Sequence, residues 1–319
     1  MAIAFSGMIL WWVRIGNEFE VSCNSLERIE NYVNCEQEPK PTEAGKPPAY
    51  WPSSGHLVVE KLSASYSNGG EQVLHDLSFE IKSGERVGVV GRTGSGKSSL
   101  TLSLLRLIPT KGSVMYDGLA TEHVNLNALR NHITIIPQQP DLLSGTLRDN
   151  LDPFGEYDDA VLNDALRSSG LYNVQAENED ERITLDTPVS SGGGNFSLGQ
   201  RQIIALARAI CRQSKVLILD EATAAIDHST DTMIQASIRA ELRDVTVITV
   251  AHRLKTIGDS DKIMVLDAGR LVEFDSPSKL LKKKDGFFKS LVDQSGEKEQ
   301  LYLMAGVDPK EAEKHSWFS

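Results

Sequence analysis

The sequence is short of several things at once. It has three cysteines, Cys23, Cys35 and Cys211, and no two of them share a metal-site spacing. A sparse, odd set with no secretory leader pattern reads as reduced thiols of a cytosolic protein. It excludes a disulfide framework and a zinc cage. Basic charge is also short: 33 Lys and Arg against 44 Asp and Glu leave a net charge of -11. That balance argues against broad nucleic-acid binding, which needs a basic face, but leaves room for a local cationic pocket for a small anion. Nor is there a membrane-spanning run. The apolar stretch "MAIAFSGMILWWV" is about 13 residues long, where about 20 are needed. It has neither the basic start nor the small-residue cleavage site of a signal peptide. There is no internal repeat and no long series of coiled-coil heptads.

What is present is 319 residues, 40% hydrophobic and 24% charged, enough for one large domain or two small ones. Residues 1–35 begin with the apolar run and continue as a charged stretch with helical spacing. The pair Trp11–Trp12 beside Arg14 suits the place where a membrane helix leaves the interface. We therefore read 1–35 as the cytoplasmic end of a transmembrane helix and its extension, the helix start lying outside this chain. An apolar helix tucked onto the domain is the plainer alternative. Residues 36–55 hold five prolines and little pattern, and read as a linker. From 56 to 293, short apolar strands such as "RVGVV", "VLILD" and "VTVITVA" alternate with helical segments near 97–107, 198–212 and 229–242. This alternation predicts a mostly parallel sheet covered on both faces. Residues 294–319, rich in Glu and Lys, read as a loose tail.

Chemistry enters at "GRTGSGKSS", Gly91 to Ser99. The G-x-x-x-x-G-K-[ST] pattern follows an apolar strand and opens a helix, the context that gives the motif meaning. Gly91, Gly94 and Gly96 let the chain curl so that successive N–H groups, through Arg92, Thr93 and Ser95, point at phosphate. Lys97 neutralises the β and γ phosphates, and the Ser98 hydroxyl can ligate Mg²⁺, a cation that takes oxygen ligands. "KVLILDEA" is a second piece: a buried strand delivers Asp220 to the metal shell and Glu221 as the group that orients or deprotonates water. His252 in "TVAHRL" and Gln138 in "IIPQQP" follow other strand ends. They suit a γ-phosphate contact and a bridge to metal or water, respectively. Tyr66 ends the first strand and could stack on a base, a contact worth about 1–3 kcal/mol. A second glycine-rich helix start, "GGGNFSLGQRQ" at 192–202, is also built for phosphate.

The order of these motifs resembles the nucleotide-binding domains of ABC transporters. The words "GRTGSGKSSLT", "SGTLRDNLDPF", "GQRQIIALARAI", "LDEATAAID" and "TVITVAHRLKTI" are similar to the second such domain of C-type, multidrug-resistance-associated exporters. The likeness covers roughly residues 1–293. It implies an α/β, ABC-type P-loop ATPase domain with a mostly parallel core sheet, an antiparallel β subdomain and a helical signature subdomain. It also implies ATP and Mg²⁺ as ligands. By position, Tyr66 would stack on adenine, Gly91–Ser99 form the Walker A loop, Gln138 the Q-loop residue, and Ser197, Gly199 and Gln200 the signature. Asp220 would be Walker B, Glu221 the catalytic base, Asp227 the D-loop aspartate and His252 the switch histidine. Ser98, Gln138 and Asp220 would share the metal. Phe196, Gln139 and Ser191 depart from the usual leucine and acids at their positions without removing a phosphate ligand or the base.

In such a protein two domains close on ATP, each nucleotide lying between one Walker A loop and the other signature. The implied partners are a first nucleotide-binding domain and transmembrane domains of the same transporter, with this domain on the cytosolic face of the membrane and no nucleic-acid partner. The rival readings are a nucleotide sensor that gates a partner channel and a non-transport ABC ATPase. Glu221 favours a hydrolytic motor over the sensor, and the acidic charge and apolar N-terminus weigh against the last.

Overall fold

A computed structural model describes residues 2–35, 37–173, 183–220, 228–251 and 253–307. The chain forms two compact units, residues 1–40 and 41–319. The first is one helix, α1 (Ala2–Val33). It carries Phe5, Ile9, Trp11 and Trp12 exposed, with the two indoles edge to face at 6.3 Å. Arg14 and Glu18 pair one turn apart at 3.3 Å, a spacing that helps an exposed helix by a few tenths of a kcal/mol. Among the described residues no helix is long and apolar enough to cross a membrane.

The second unit starts with the proline-rich stretch, which is seated on the domain it precedes. Trp51 is buried, its indole N–H donating to the Tyr116 carbonyl at 2.8 Å and its ring edge-on to Tyr116 and His132. The Asp117 carboxylate accepts from the backbone N–H groups of Ser53, Ser54 and His56 at 2.6, 2.9 and 2.9 Å, and from the Ser54 hydroxyl. Burial by itself would raise the pKa of Asp117. The hydrogen bonds from Ser54, His56 and Ser53 outweigh it and bring the group down to about 2.

The domain proper runs β1 (Leu57–Ser65), β2 (Gln72–Ile81), β3 (Arg86–Val90), α2 (Lys97–Leu104), β4 (Thr110–Tyr116), β5 (Leu119–Ala120), α3 (Leu126–His132) and β6 (Ile133–Ile136). It continues with β7 (Gly145–Thr146), α4 (Leu147–Leu151), α5 (Asp159–Ser168), β8 (Pro188–Val189), α6 (Leu198–Arg212), β9 (Val216–Asp220) and α7 (His228–Glu241). It closes with β10 (Thr246–Val250), β11 (Lys262–Asp267), β12 (Arg270–Asp275), α8 (Pro277–Lys282), α9 (Phe287–Gln294) and α10 (Lys298–Met304). Six strands form the main sheet in the order β12-β11-β3-β10-β9-β6. All its pairs are parallel except β11 with β12. The order β2-β1-β4-β5 makes a separate antiparallel sheet.

The two-faced burial of the central strands follows from their period of two. In β9, Leu217 and Leu219 join the core shared with α5 and α6, while Val216 and Ile218 join the core shared with α2 and the antiparallel sheet. A strand apolar on both faces has to lie between two layers. Helix α6 starts at a reciprocal cap. Ser197 Oγ accepts from Gln200 N–H at 3.2 Å, and Gln200 Oε1 accepts from Ser197 N–H at 2.9 Å. The helix ends at Gln213 in the left-handed conformation. Helix α2 stops at Leu104, short of the sequence expectation, because Arg106 turns left-handed and Pro109 follows. The loose-tail expectation for the end of the chain fails over 298–307. There α10 buries Leu301 and Tyr302 into a third core with Ile257, Phe288 and Val292.

Candidate nucleotide site

Strand register builds the site. Val89 of β3 pairs with Val250 of β10, Val250 with Asp220 of β9, and Leu219 with Ile136 of β6. The carboxyl ends of four neighbouring parallel strands therefore form one row, the place where open α/β sheets bind ligands. Gly91 leaves the first end, Ala251 the second, Asp220 sits on the third, and Pro137–Gln138 leave the fourth.

The loop after β3 wraps Lys97. The Lys97 side chain is only 7% exposed, and its Nζ donates to the carbonyls of Gly91 at 2.9 Å and Arg92 at 3.3 Å. Glycine is needed where the backbone folds on itself: a Cβ on Gly91 would lie 2.3 Å from the Leu266 carbonyl and 2.4 Å from Ser95 Oγ. Gly96, with φ 100°, begins α2 in a conformation that side-chain-bearing residues rarely adopt. A cavity of about 350 Å³ opens over this loop, lined by Tyr66, Val73 and residues 93–99. Tyr66 stands at its rim, 60% exposed, with its hydroxyl 2.9 Å from Ser99 Oγ. Ser95 Oγ is buried without a hydrogen-bond partner among the described residues. A helix N-terminus, an enclosed ammonium and an unsatisfied hydroxyl around one cavity fit a polyphosphate.

The residues expected to offer oxygens to a divalent cation are Ser98, exposed in the first turn of α2, Asp220 at the end of β9, and Gln138, exposed after β6. Among the described residues no group of three His, Cys, Asp or Glu side chains could hold a metal by itself. This donor set fits Mg²⁺, which is usually held by one or two protein groups together with substrate phosphates. Glu221, Asp227 and His252 lie outside the described residues.

The residues expected to form the signature start α6: Ser197 is its cap, and Gly199 and Gln200 are in its first turn. Upstream, Asn195 ties the turn, its Oδ1 accepting from Ser190 N–H at 3.0 Å and its Nδ2 donating to the Pro188 carbonyl at 2.9 Å. Phe196, the departure from leucine, is buried in the α5–α6 core. Ser191 and Gln139 are exposed. Cys211 is buried in the same core, and burial with the nearby Asp152 raises its thiol to about 11, so it stays protonated.

Sequence reasoning missed two residues of α6, Gln202 and Arg208. Gln202 is 2% exposed and donates to the carbonyls of Pro137 at 3.2 Å and Gln138 at 2.7 Å. Arg208 donates through Nε to the Asn150 carbonyl at 2.6 Å and through Nη1 to the Asp141 carbonyl at 3.2 Å. The available signal was a glutamine directly before Ile203 and Ile204, on a helix face that is otherwise apolar.

A parallel sheet with a phosphate loop at its first central strand defines a P-loop nucleotide-binding domain. Residues 74–224 match the ABC transporter family. The chain is 45% identical over 302 residues to human ATP-binding cassette sub-family C member 4, covering 95% of this chain and 23% of that protein. It is 47% identical over 300 residues to the probable multidrug resistance-associated protein lethal(2)03659 of Drosophila melanogaster, covering 92% of this chain and 22% of that one. A bacterial Atm1-family ABC exporter solved with ATP bound superposes with a TM-score of 0.77 at 29% identity, over 87% of this chain and 48% of that one. Residues 74–224 thus carry an ABC transporter domain, and relatives matched over most of the chain are C-type, multidrug-resistance-associated transporters. The chain spans about a fifth of the length of these curated relatives.

Proposed function

We propose that this chain is the second nucleotide-binding domain of an exporter and acts by binding and hydrolysing MgATP on the cytosolic face of a membrane. Export of organic anions, conjugates or drug-like molecules is the corresponding work of the whole protein. The observation that carries the reading is the row of strand ends, with Lys97 enclosed at one end and Gln138 at the other. In this reading Tyr66 stacks on the base, the N–H groups of Gly91–Ser99 hold the phosphates, and Lys97 neutralises them. Ser98, Asp220 and Gln138 hold Mg²⁺, which when bound polarises the phosphate oxygens. Glu221 orients or deprotonates the attacking water, and His252 contacts the γ-phosphate. Asp227 lies in the D-loop, where the two domains meet. Ser197, Gly199 and Gln200 serve the nucleotide on the Walker A loop of a partner, a first nucleotide-binding domain. Helix α1 is the cytoplasmic extension of a transmembrane helix in the same protein.

This arrangement leaves each hydrolysis site incomplete in a single chain. The isolated chain should therefore hydrolyse ATP weakly, with specific activity that rises with protein concentration. Specific activity independent of concentration and vigorous at high dilution would refute the shared site. The sensor reading makes the opposite prediction for hydrolysis: nucleotide binding without sustained turnover when the partner domain is supplied.

A further inference from the structure

The opposite end of the row of strand ends is held in an unusual way. Four residues of the segment from Pro137 to Asn150 are bonded to one helix, α6. Gln202 Nε2 takes the carbonyls of Pro137 and Gln138. Arg208 takes the carbonyls of Asp141 and Asn150, and its Nη2 donates to Asn150 Oδ1 at 2.6 Å. Asn150 in turn holds Leu143 from both sides, Oδ1 accepting from its N–H at 2.8 Å and Nδ2 donating to its carbonyl at 2.8 Å. The Gln202 bonds span 65 and 64 residues of sequence, so they join separate parts of the fold. Gln202 lies five residues along the helix that Ser197 begins, about 7.5 Å at 1.5 Å per residue.

We propose that Gln202 is a positioning residue: its amide fixes the backbone that carries Gln138 to the signature helix, so that the metal-side glutamine and the cap at Ser197 move as one body. The step rests on the proposed role of Gln138. A glutamine that served only to fill the α6 core would be a poor choice, because its Oε1 is buried and has no hydrogen-bond partner among the described residues. An unpaired buried acceptor is costly, and a methionine would fill the same space without it. What methionine cannot supply is the N–H pair that reaches Pro137 and Gln138. Both of those residues are exposed, so their carbonyls can turn to water when the amide is removed. Loss of the clamp should therefore free the loop without unfolding the domain.

The test uses Gln202→Met and Gln202→Leu in the full 319-residue chain. Both fill the apolar space and remove the donor, so the result does not depend on one variant folding. ATP affinity is measured with and without Mg²⁺, and amide hydrogen exchange is followed over residues 137–143 and over α2. We expect the gain in affinity that Mg²⁺ provides to fall about fivefold, the size of one net hydrogen bond, with Mg²⁺-free affinity unchanged. Exchange should quicken in 137–143 and stay as it is in α2. An unchanged Mg²⁺ gain, an equal loss with and without Mg²⁺, or unchanged exchange in the loop would overturn the proposal. Gln138→Ala separates the two readings. If it abolishes the Mg²⁺ gain and the Gln202 variants add nothing to it, the clamp acts through Gln138. If Gln138→Ala leaves the gain intact while Gln202→Met loses it, the positioning role is refuted and the ATP site at Lys97 stands. A wild-type chain that bound no ATP would refute the proposed function, and the exchange measurement would still decide whether Gln202 holds this loop.

Discussion

Replacing Lys97 by methionine separates binding from folding at the centre of the site. The stem of Lys97 is buried and its ammonium donates to the Gly91 and Arg92 carbonyls. Methionine keeps the unbranched stem and deletes the charge. For folding, two opposing terms follow. The loop loses hydrogen bonds from a charged donor, about 1.5–3 kcal/mol, but a nearly buried ammonium no longer has to be stripped of water, a cost of similar or larger size. The two should offset to within about 1 kcal/mol, so the melting temperature should hardly move. For binding there is no such offset. A charge-assisted bond to the β and γ phosphates disappears, about 2–3 kcal/mol, which is about a 30- to 150-fold loss of ATP affinity. Isothermal titration with ATP and AMP reads this directly. AMP has no β or γ phosphate, so its affinity should be spared. Tyr66→Ala should weaken both nucleotides alike, by about 1–3 kcal/mol. Unchanged ATP affinity in Lys97→Met, or equal loss for ATP and AMP, would refute the placement of phosphate over this loop.

Glu221→Gln should abolish steady-state turnover and leave ATP binding intact, as read by phosphate release and nucleotide titration; normal turnover would remove Glu221 from the base role. Ser197→Ala breaks the reciprocal cap with Gln200 and should cost about 1 kcal/mol in urea unfolding, an amount that should not change with ATP in the single chain. Asp117→Asn tests the seat of residues 41–55. The carboxyl is lowered from 3.8 to about 2 in the fold, so its contribution is complete above pH 3.8 and lost as pH falls toward 2. At neutral pH the variant should be less stable by about 1 kcal/mol, after allowing for solvent screening of a partly exposed group. Unfolding curves across pH should show the gap from wild type closing in that acid window, and a gap independent of pH would refute the assignment.

Much of the site was legible because its signals are local. The loop from Gly91 to Ser99 is defined by contiguous residues whose backbone freedom and charge do the work. The cap at Ser197 is set by Gln200 three residues on, so the start of α6 falls where the sequence placed it. Helix α10 was missed because it lies in a terminal stretch rich in Glu and Lys, while Leu301 and Tyr302 find their burial only against α9 and the segment around Ile257. The stretch 41–55 carries the composition of a linker. Nothing near it in sequence announces that Trp51 has a pocket at Tyr116, 65 residues away.

Local sequence sets the chemistry: which loop curls around an ammonium, which strand ends in carboxylates, and which helix opens on a serine cap. Those are short-range consequences of residue type and period. The tertiary structure decided which of these pieces share a site. Strand order is a choice among long-range pairings, and only the order β3-β10-β9-β6 brings Gly91, Asp220 and Gln138 to one edge. It also decided how they are held, because the donors on Gln202 and Arg208 are satisfied by backbone carbonyls and the Asn150 side chain, which no local rule connects to them.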